Sequence, residues 1–131
     1  MAHDPSPDRG NETETARADL AERRRGALAS VPDDLLRSVV AYFQPRKVIL
    51  FGSLARGEAG TDSDIDLLVV LDDDAPSQLL SWRASYEARR DYHRACDIVP
   101  CRASVFERRS KIVGSLPHTI ATEGETVYER D

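Results

Sequence analysis

Two short apolar runs constrain the fold of this chain more than any other feature. One run ends at a glycine, and the other is interrupted by an aspartate. Val48–Phe51 is a β-type run that ends at Gly52, and Ile65–Leu71 is a second run interrupted only by Asp66. Runs of this kind are typical of strands buried in a sheet. A carboxylate inside such a strand is unfavourable unless a hydrogen-bonding partner or a cation compensates its burial. The sequence therefore predicts two strands and a special role for Asp66.

Length and charge narrow the class of protein. The chain has 131 residues, enough for one domain with a single core, and its 23 acidic against 18 basic residues give a net charge of −5. This balance argues against direct nucleic-acid binding driven by charge, which needs a basic surface. The longest apolar stretch, Val39 to Phe43, is far too short to cross a membrane, and the first residues do not resemble a signal peptide. We therefore expect a cytoplasmic protein without a membrane segment.

The composition divides the chain into three parts. Residues 1–13 lack large apolar side chains and are expected to form a disordered tail, and residues 14–30 are expected to form an exposed helical extension. Residues 31–131 are expected to form the domain. Its first helix is predicted after Ser30-Val-Pro-Asp33, ended by Pro45, with a core-facing stripe of Leu35, Leu36, Val39, Val40 and Phe43.

The rest of the domain alternates helical and strand-like segments. A helix over residues 77–94 is predicted to pack through Leu79, Leu80, Trp82 and Tyr86. The later elements are a strand over 95–101 that suits a sheet edge because of Pro100, helices over 104–112 and 116–122, and a strand over 125–128. Strands separated by helices predict an α/β fold with a small sheet flanked by helices.

The most informative motif joins the two apolar runs. The turn Gly52-Ser53 is followed, ten residues later, by the pair Asp64-x-Asp66. Residues two apart on a strand point to the same face, about 6.5–7 Å apart, so the two carboxylates lie side by side. Asp97, also flanked by apolar residues, is expected on a neighbouring strand, where it makes a third converging carboxylate. The glycine spacing superficially resembles a P-loop, but the required lysine is missing.

Three neighbouring carboxylates suit the binding of divalent cations. At about 4 Å and an effective dielectric constant near 20, two like charges repel by about 4 kcal/mol, so the cluster should hold a proton or bind cations. Oxygen ligands favour Mg²⁺ or Mn²⁺, and two such ions are a recurring arrangement for displacement at phosphorus. In this interpretation Asp64, Asp66 and Asp97 bind two metal ions, Gly52 and Ser53 hold phosphates, and Arg56 is a further phosphate contact.

These residues resemble the signature of a known superfamily. Gly52-Ser53, Ala55-Arg56-Gly57, Ser63-Asp64-Ile65-Asp66-Leu67 and Asp97-Ile98-Val99 are similar to the motifs of nucleotidyltransferases related to DNA polymerase β. They resemble most closely the minimal nucleotidyltransferases of MNT–HEPN toxin–antitoxin pairs, over about residues 33–128. The resemblance implies a mixed sheet of the polymerase β-like nucleotidyltransferase fold.

The resemblance also implies an activity and a partner. AMP would be transferred from ATP, with Mg²⁺, to a tyrosine of a HEPN-family toxin, and the chain would act as the antitoxin. Asp64 and Asp66 would bind the metal ions, Asp97 would complete one metal site and help to deprotonate the attacking hydroxyl, and Gly52 and Ser53 would hold the triphosphate. Two alternatives stay open: an antitoxin that neutralises its partner by contact without catalysis, and transfer to a hydroxyl of a small molecule.

Two further groups of residues are given only structural roles. Cys96 and Cys101 are expected to be buried or half-buried free thiols, because a disulfide is not favoured in a reducing compartment. The pair Arg89-Arg90, like the other arginine runs, is expected to lie on a solvated face.

Overall fold

A computed structural model describes residues 31–52 and 64–130. The predicted tail and helical extension therefore lie outside the described residues. Four α-helices and four strands are described: α1 Asp33–Phe43, β1 Lys47–Phe51, β2 Ile65–Leu71, α2 Trp82–Ala88, β3 Cys96–Arg102, α3 Ala103–Arg109, α4 Leu116–Glu123 and β4 Glu125–Glu129. A short 3₁₀ helix, Ser77–Leu80, precedes α2. No helix in these ranges is long and apolar enough to cross a membrane.

Helix α1 forms as its amphipathic pattern predicts. Its buried face consists of Leu35, Val39 and Phe43, and two acidic residues in its first turn interact favourably with the helix dipole. Gln44 ends the helix in a left-handed conformation, with φ of 48°, directly before Pro45. The predicted end of this helix is thus confirmed.

The four strands form one mixed sheet in the order β3-β2-β1-β4. Strand β1 lies antiparallel to both β2 and β4, whereas β2 and β3 are parallel and are joined through α2. A parallel pair requires such a crossover, which commonly contains a helix. Pro100 lies in β3, at the edge of the sheet, where a residue without an N–H group is tolerated. The α/β fold with a small mixed sheet is confirmed.

Helices cover both faces of the sheet. On the main-core face, Leu67 and Val69 of β2 pack with α1 and with Ala84 and Ala88 of α2. On the opposite face, Leu68 and Val70 pack with residues of α3 and α4, among them Phe106 and Ile120. We call this opposite face the second face. The alternation along β2 thus divides its side chains between the two sides of the sheet.

The prediction for residues 77–94 is wrong in two respects. The segment divides into the 3₁₀ helix and α2, because the Ser81 side chain accepts a hydrogen bond from the Ala84 N–H and starts a new helix. Trp82 and Tyr86 do not pack in the core: their exposed fractions are 78% and 60%. The buried face of α2 consists of alanines, which let the helix approach the sheet closely.

Candidate active site

The strand register brings two of the predicted acidic residues together. Asp66 is the second residue of β2, Asp97 is the second residue of β3, and the two are register partners in the parallel pair. The neighbours of Asp66, Ile65 and Leu67, belong to the main core, so the Asp66 side chain lies on the second face. Asp97 follows the same alternation in β3 and lies on the same side.

Asp64 lies immediately before β2, two residues from Asp66, and is exposed. Its charge, with that of Asp97, acts on Asp66. Burial raises the pKa of Asp66 above its ordinary value, repulsion by Asp97 and then by Asp64 raises it further, and a side-chain hydrogen bond with Asp97 adds to the rise. The three predicted carboxylates therefore interact electrostatically, and two of them, Asp66 and Asp97, share the second face.

Gly52 completes the described part of the site. Phe51, the last residue of β1, is the register partner of Asp66, so the chain leaves β1 beside that carboxylate. Gly52 has a φ of +79°, a conformation that L side chains rarely adopt. A Cβ atom at this position would overlap the Oδ2 atom of Asp66. The turn after β1 therefore needs glycine for its conformation and for the space that it leaves to the carboxylate.

The donor set fits a hard divalent cation in its chemistry. The carboxylates of Asp66 and Asp97 come together here with the charge of Asp64 nearby, and their mutual repulsion would be relieved by a bound cation. In residues 31–52 and 64–130, no group of three His, Cys, Asp or Glu side chains has the arrangement of a complete metal site. The described geometry therefore supplies a carboxylate pair, Asp66 and Asp97, with Asp64 as a nearby third charge.

Two residues of the predicted site, Ser53 and Arg56, lie outside the described residues. Among the predicted site residues, the structure brings together Gly52, Asp66 and Asp97 and places Asp64 at the start of the same strand. The connection between Gly52 and Asp64 is the segment that was expected to hold phosphates, and that role stays a prediction.

Sequence reasoning missed one residue beside the site. The Arg89 guanidinium group donates hydrogen bonds to the carbonyl oxygens of Tyr92, Arg94 and Cys96, at 3.2, 2.7 and 2.6 Å. Cys96 directly precedes Asp97. Nothing in the pair Arg89-Arg90 distinguishes the two side chains, so no sequence signal could have identified the one that binds the loop.

The chain is similar to a known family and to two solved structures. Residues 33–118 match the family model described as nucleotidyltransferase domain. A crystal structure described as a toxin–antitoxin with AMP-PNP is 16% identical, with a TM-score of 0.48, over 77% of this chain and 76% of that chain. A crystal structure of a candidate nucleotidyltransferase from Sulfolobus solfataricus is 21% identical, with a TM-score of 0.51, over 85% of this chain and 87% of that chain.

No curated protein matches the sequence. The family match covers most of the chain, including the apolar runs, the Gly52 turn and all three acidic residues, and the strand arrangement agrees with the fold of the Sulfolobus protein. The chain belongs to the nucleotidyltransferase domain family.

Proposed function

We propose that this protein is a Mg²⁺-dependent nucleotidyltransferase that transfers AMP from ATP to a tyrosine hydroxyl of a HEPN toxin and thereby acts as its antitoxin. The observation that carries the enzymatic part is the pairing of Asp66 with Asp97 on one sheet face, beside a glycine whose missing side chain leaves space for the carboxylate. The toxin partner and the tyrosine rest on the resemblance of the Gly52-Ser53 and Asp64-x-Asp66 motifs to minimal nucleotidyltransferases.

The proposed reaction is a displacement at the α-phosphorus of ATP. The acceptor oxygen forms a new bond to the α-phosphorus, the bond between that phosphorus and the bridging α–β oxygen breaks, and pyrophosphate leaves. When bound, Mg²⁺ would neutralise charge on the attacking and leaving oxygens. Asp64, Asp66 and Asp97 would hold the metal, and the exposed Asp97 carboxylate would accept the hydroxyl proton.

Gly52 contributes to the proposed site through the space that its missing side chain leaves. Because a side chain here would overlap the Asp66 carboxylate, any larger residue would displace the group that has to hold the cation. The same absence of a Cβ lets a phosphate approach the backbone of the turn. Ser53 and Arg56 would bind the departing phosphates in this proposal.

The test combines the chain with labelled ATP, Mg²⁺ and the product of the adjacent reading frame. A mass gain of one or more AMP units on a tyrosine of that product is expected, and D66N and D97N should abolish it. D74N is the matched control, because Asp74 is an exposed acid in the turn after β2 and should be dispensable.

Three results would overturn the proposal. If D66N protects cells from the partner as well as the wild-type chain does, the protein neutralises by contact alone. If AMP appears on a small molecule and never on the partner, the protein acceptor is wrong. Transfer that D66N and D97N leave intact would show that the chemistry takes place elsewhere.

A further inference from the structure

The loop between α2 and β3 is organised around one side chain. Arg89 is the C-terminal capping residue of α2, and its half-buried guanidinium group donates to three carbonyl groups: those of Tyr92 and Arg94 in the loop and that of Cys96, the first residue of β3. The Arg89 carbonyl oxygen accepts a hydrogen bond from the Tyr92 N–H at 2.8 Å. The loop is thus folded back on Arg89 through both its side chain and its backbone.

The hydrogen bonds of Arg89 matter because the loop that they hold ends next to the two paired carboxylates. The shortest of the three hydrogen bonds, at 2.6 Å, reaches Cys96, the first residue of β3. Ala95 accepts a hydrogen bond from the Ile65 N–H at the start of β2, and Ile65 is the register partner of Cys96. The next pair in the register is Asp66 with Asp97. Arg89 therefore holds the backbone one residue before the point where the two carboxylates meet.

Only an arginine suits this position. Three carbonyl oxygens in different directions need several donors held in one plane, and the guanidinium group provides five N–H donors and no acceptor. An ammonium group is more compact and cannot span the same oxygens. Arg90, the next residue, serves as a contrast: its side chain is largely exposed and forms an ion pair with Glu87 at 3.6 Å.

We propose that Arg89 is a positioning residue that holds Asp97 against Asp66 by binding three carbonyl groups that precede Asp97 in the chain, those of Tyr92, Arg94 and Cys96. This inference rests on the proposed function, in which these carboxylates hold the metal ion. In this proposal Arg89 itself binds neither the nucleotide nor the acceptor. It acts through the backbone on which the Asp97 side chain is placed, as residues outside the immediate ligands do in other metal sites.

The experiment compares R89A, R89K, D97A and the matched control R90A in the full chain. Mn²⁺ binding is measured by the loss of the free-ion electron paramagnetic resonance signal, and backbone placement by hydrogen exchange of peptides that cover residues 90–99. R89A should weaken Mn²⁺ binding by about ten- to a hundredfold. R90A should stay within about twofold of the wild type, since it loses one exposed ion pair.

Three readouts separate positioning from a loss of folding. R89K keeps the charge and the fold but should share the loss, because it cannot bind all three carbonyls. Guanidinium ion at low millimolar concentration should restore part of the Mn²⁺ affinity of R89A. In a D97A background, R89A should cause no further loss, because Arg89 acts only through Asp97.

The experiment distinguishes a failure of the positioning role of Arg89 from a failure of the proposed metal site. Mn²⁺ binding and hydrogen exchange in R89A equal to those in R90A would overturn the positioning role and leave the proposed function intact. No Mn²⁺ binding by the wild-type chain would overturn the metal site itself. Hydrogen exchange of residues 90–99 would still decide whether Arg89 holds the start of β3.

Discussion

Gly52 and Asp66 lie so close together that a Cβ atom on the glycine would overlap the Oδ2 atom of the carboxylate. The contact follows from the register, since Phe51 pairs with Asp66 and the chain turns directly afterwards. The φ of Gly52 is +79°, a conformation that glycine adopts readily and that L side chains rarely adopt. Although the two residues are fourteen positions apart in sequence, the place of the Asp66 carboxylate thus leaves no space for a side chain at position 52.

The G52A variant should lose stability for two separable reasons. An alanine at positive φ costs about 1 kcal/mol, and the overlap with Asp66 should add about 1–3 kcal/mol. G114A is the matched control, because Gly114 has a φ of +89° but no atom within 4 Å of an added Cβ, so it should show only the first cost. Urea unfolding of both variants measures the difference.

A double variant identifies the source of the larger loss. In a D66A background the overlapping carboxylate is gone, and G52A should then cost no more than G114A does. If G52A lowers the free energy of unfolding equally in both backgrounds, the overlap with the carboxylate does not contribute to the loss of stability.

Asp66 should make the protein less stable as pH rises. Its folded pKa is raised, first by burial and then by the charges of Asp97 and Asp64, so the folded state binds a proton more tightly than the unfolded state does. Stability therefore falls between the unfolded pKa, near 3.8, and the higher folded pKa, and the loss persists above it. D66N should be more stable than the wild type at neutral pH in EDTA, and the difference should disappear below pH 3.8.

Asp72, at the other end of β2, should show the opposite dependence. A hydrogen bond from Arg130 lowers the pKa of Asp72, and Arg46 adds to the effect. This group stabilises the folded state above its unfolded pKa, and the contribution is lost as pH falls through the lower folded pKa. D72N should therefore lose stability at neutral pH, less so at high salt since the carboxylate is exposed, and the difference from the wild type should close in acid. D74N, which changes an exposed acid two residues further on, should show a smaller effect at neutral pH.

The elements that sequence reasoning predicted well are those with a strong local pattern. The limits of β2 were predicted residue by residue, because Ile65–Leu71 is an apolar run that is interrupted only by Asp66 and bounded by acids. The pairing of Asp66 with Asp97 could also be predicted, since each acid interrupts an apolar strand. A carboxylate in such a strand needs a hydrogen-bonding partner or a cation to offset the cost of its burial. Both predictions used the cost of a charge among apolar neighbours.

The errors occur where tertiary contacts override local preference. Aromatic residues at helical spacing in α2 looked like a packing face, but the space between helix and sheet accommodates only Ala84 and Ala88. The role of Arg89 was equally invisible, because its acceptors are backbone carbonyls, which every residue has. The distance between a helix and a sheet cannot be inferred from residue types alone. The same is true of the direction in which a backbone carbonyl group points.

The corrected packing of α2 can be tested by stability measurements. W82A should cost less than about 1 kcal/mol, because Trp82 is 78% exposed and its cation–π interaction with Arg83, at 5.9 Å from the ring centroid, is at the surface. A84L should cost about 1–3 kcal/mol, because the buried alanine has no space for a larger side chain. The reverse order of the two losses would show that the aromatic face is the packed one.

The two cysteines should differ in reactivity. Cys96 and Cys101 are both free thiols, the first buried and the second partly exposed. Burial raises the pKa of Cys96 to about 11 and also raises that of Cys101. Because the thiolate is the reactive form and must also be accessible, a thiol reagent such as DTNB at pH 8 should modify Cys101 several-fold faster than Cys96.

Single variants assign the two rates. C101S should leave only the slow reaction, which should accelerate in urea as β3 opens, whereas C96S should leave the faster one. Since Cys96 is the residue whose carbonyl group Arg89 binds, the R89A variant should also expose this thiol and raise its rate. A Cys96 that reacts as fast as Cys101 in the folded wild-type chain would contradict the burial of the first residue of β3, and with it the placement of Asp97 beside Asp66.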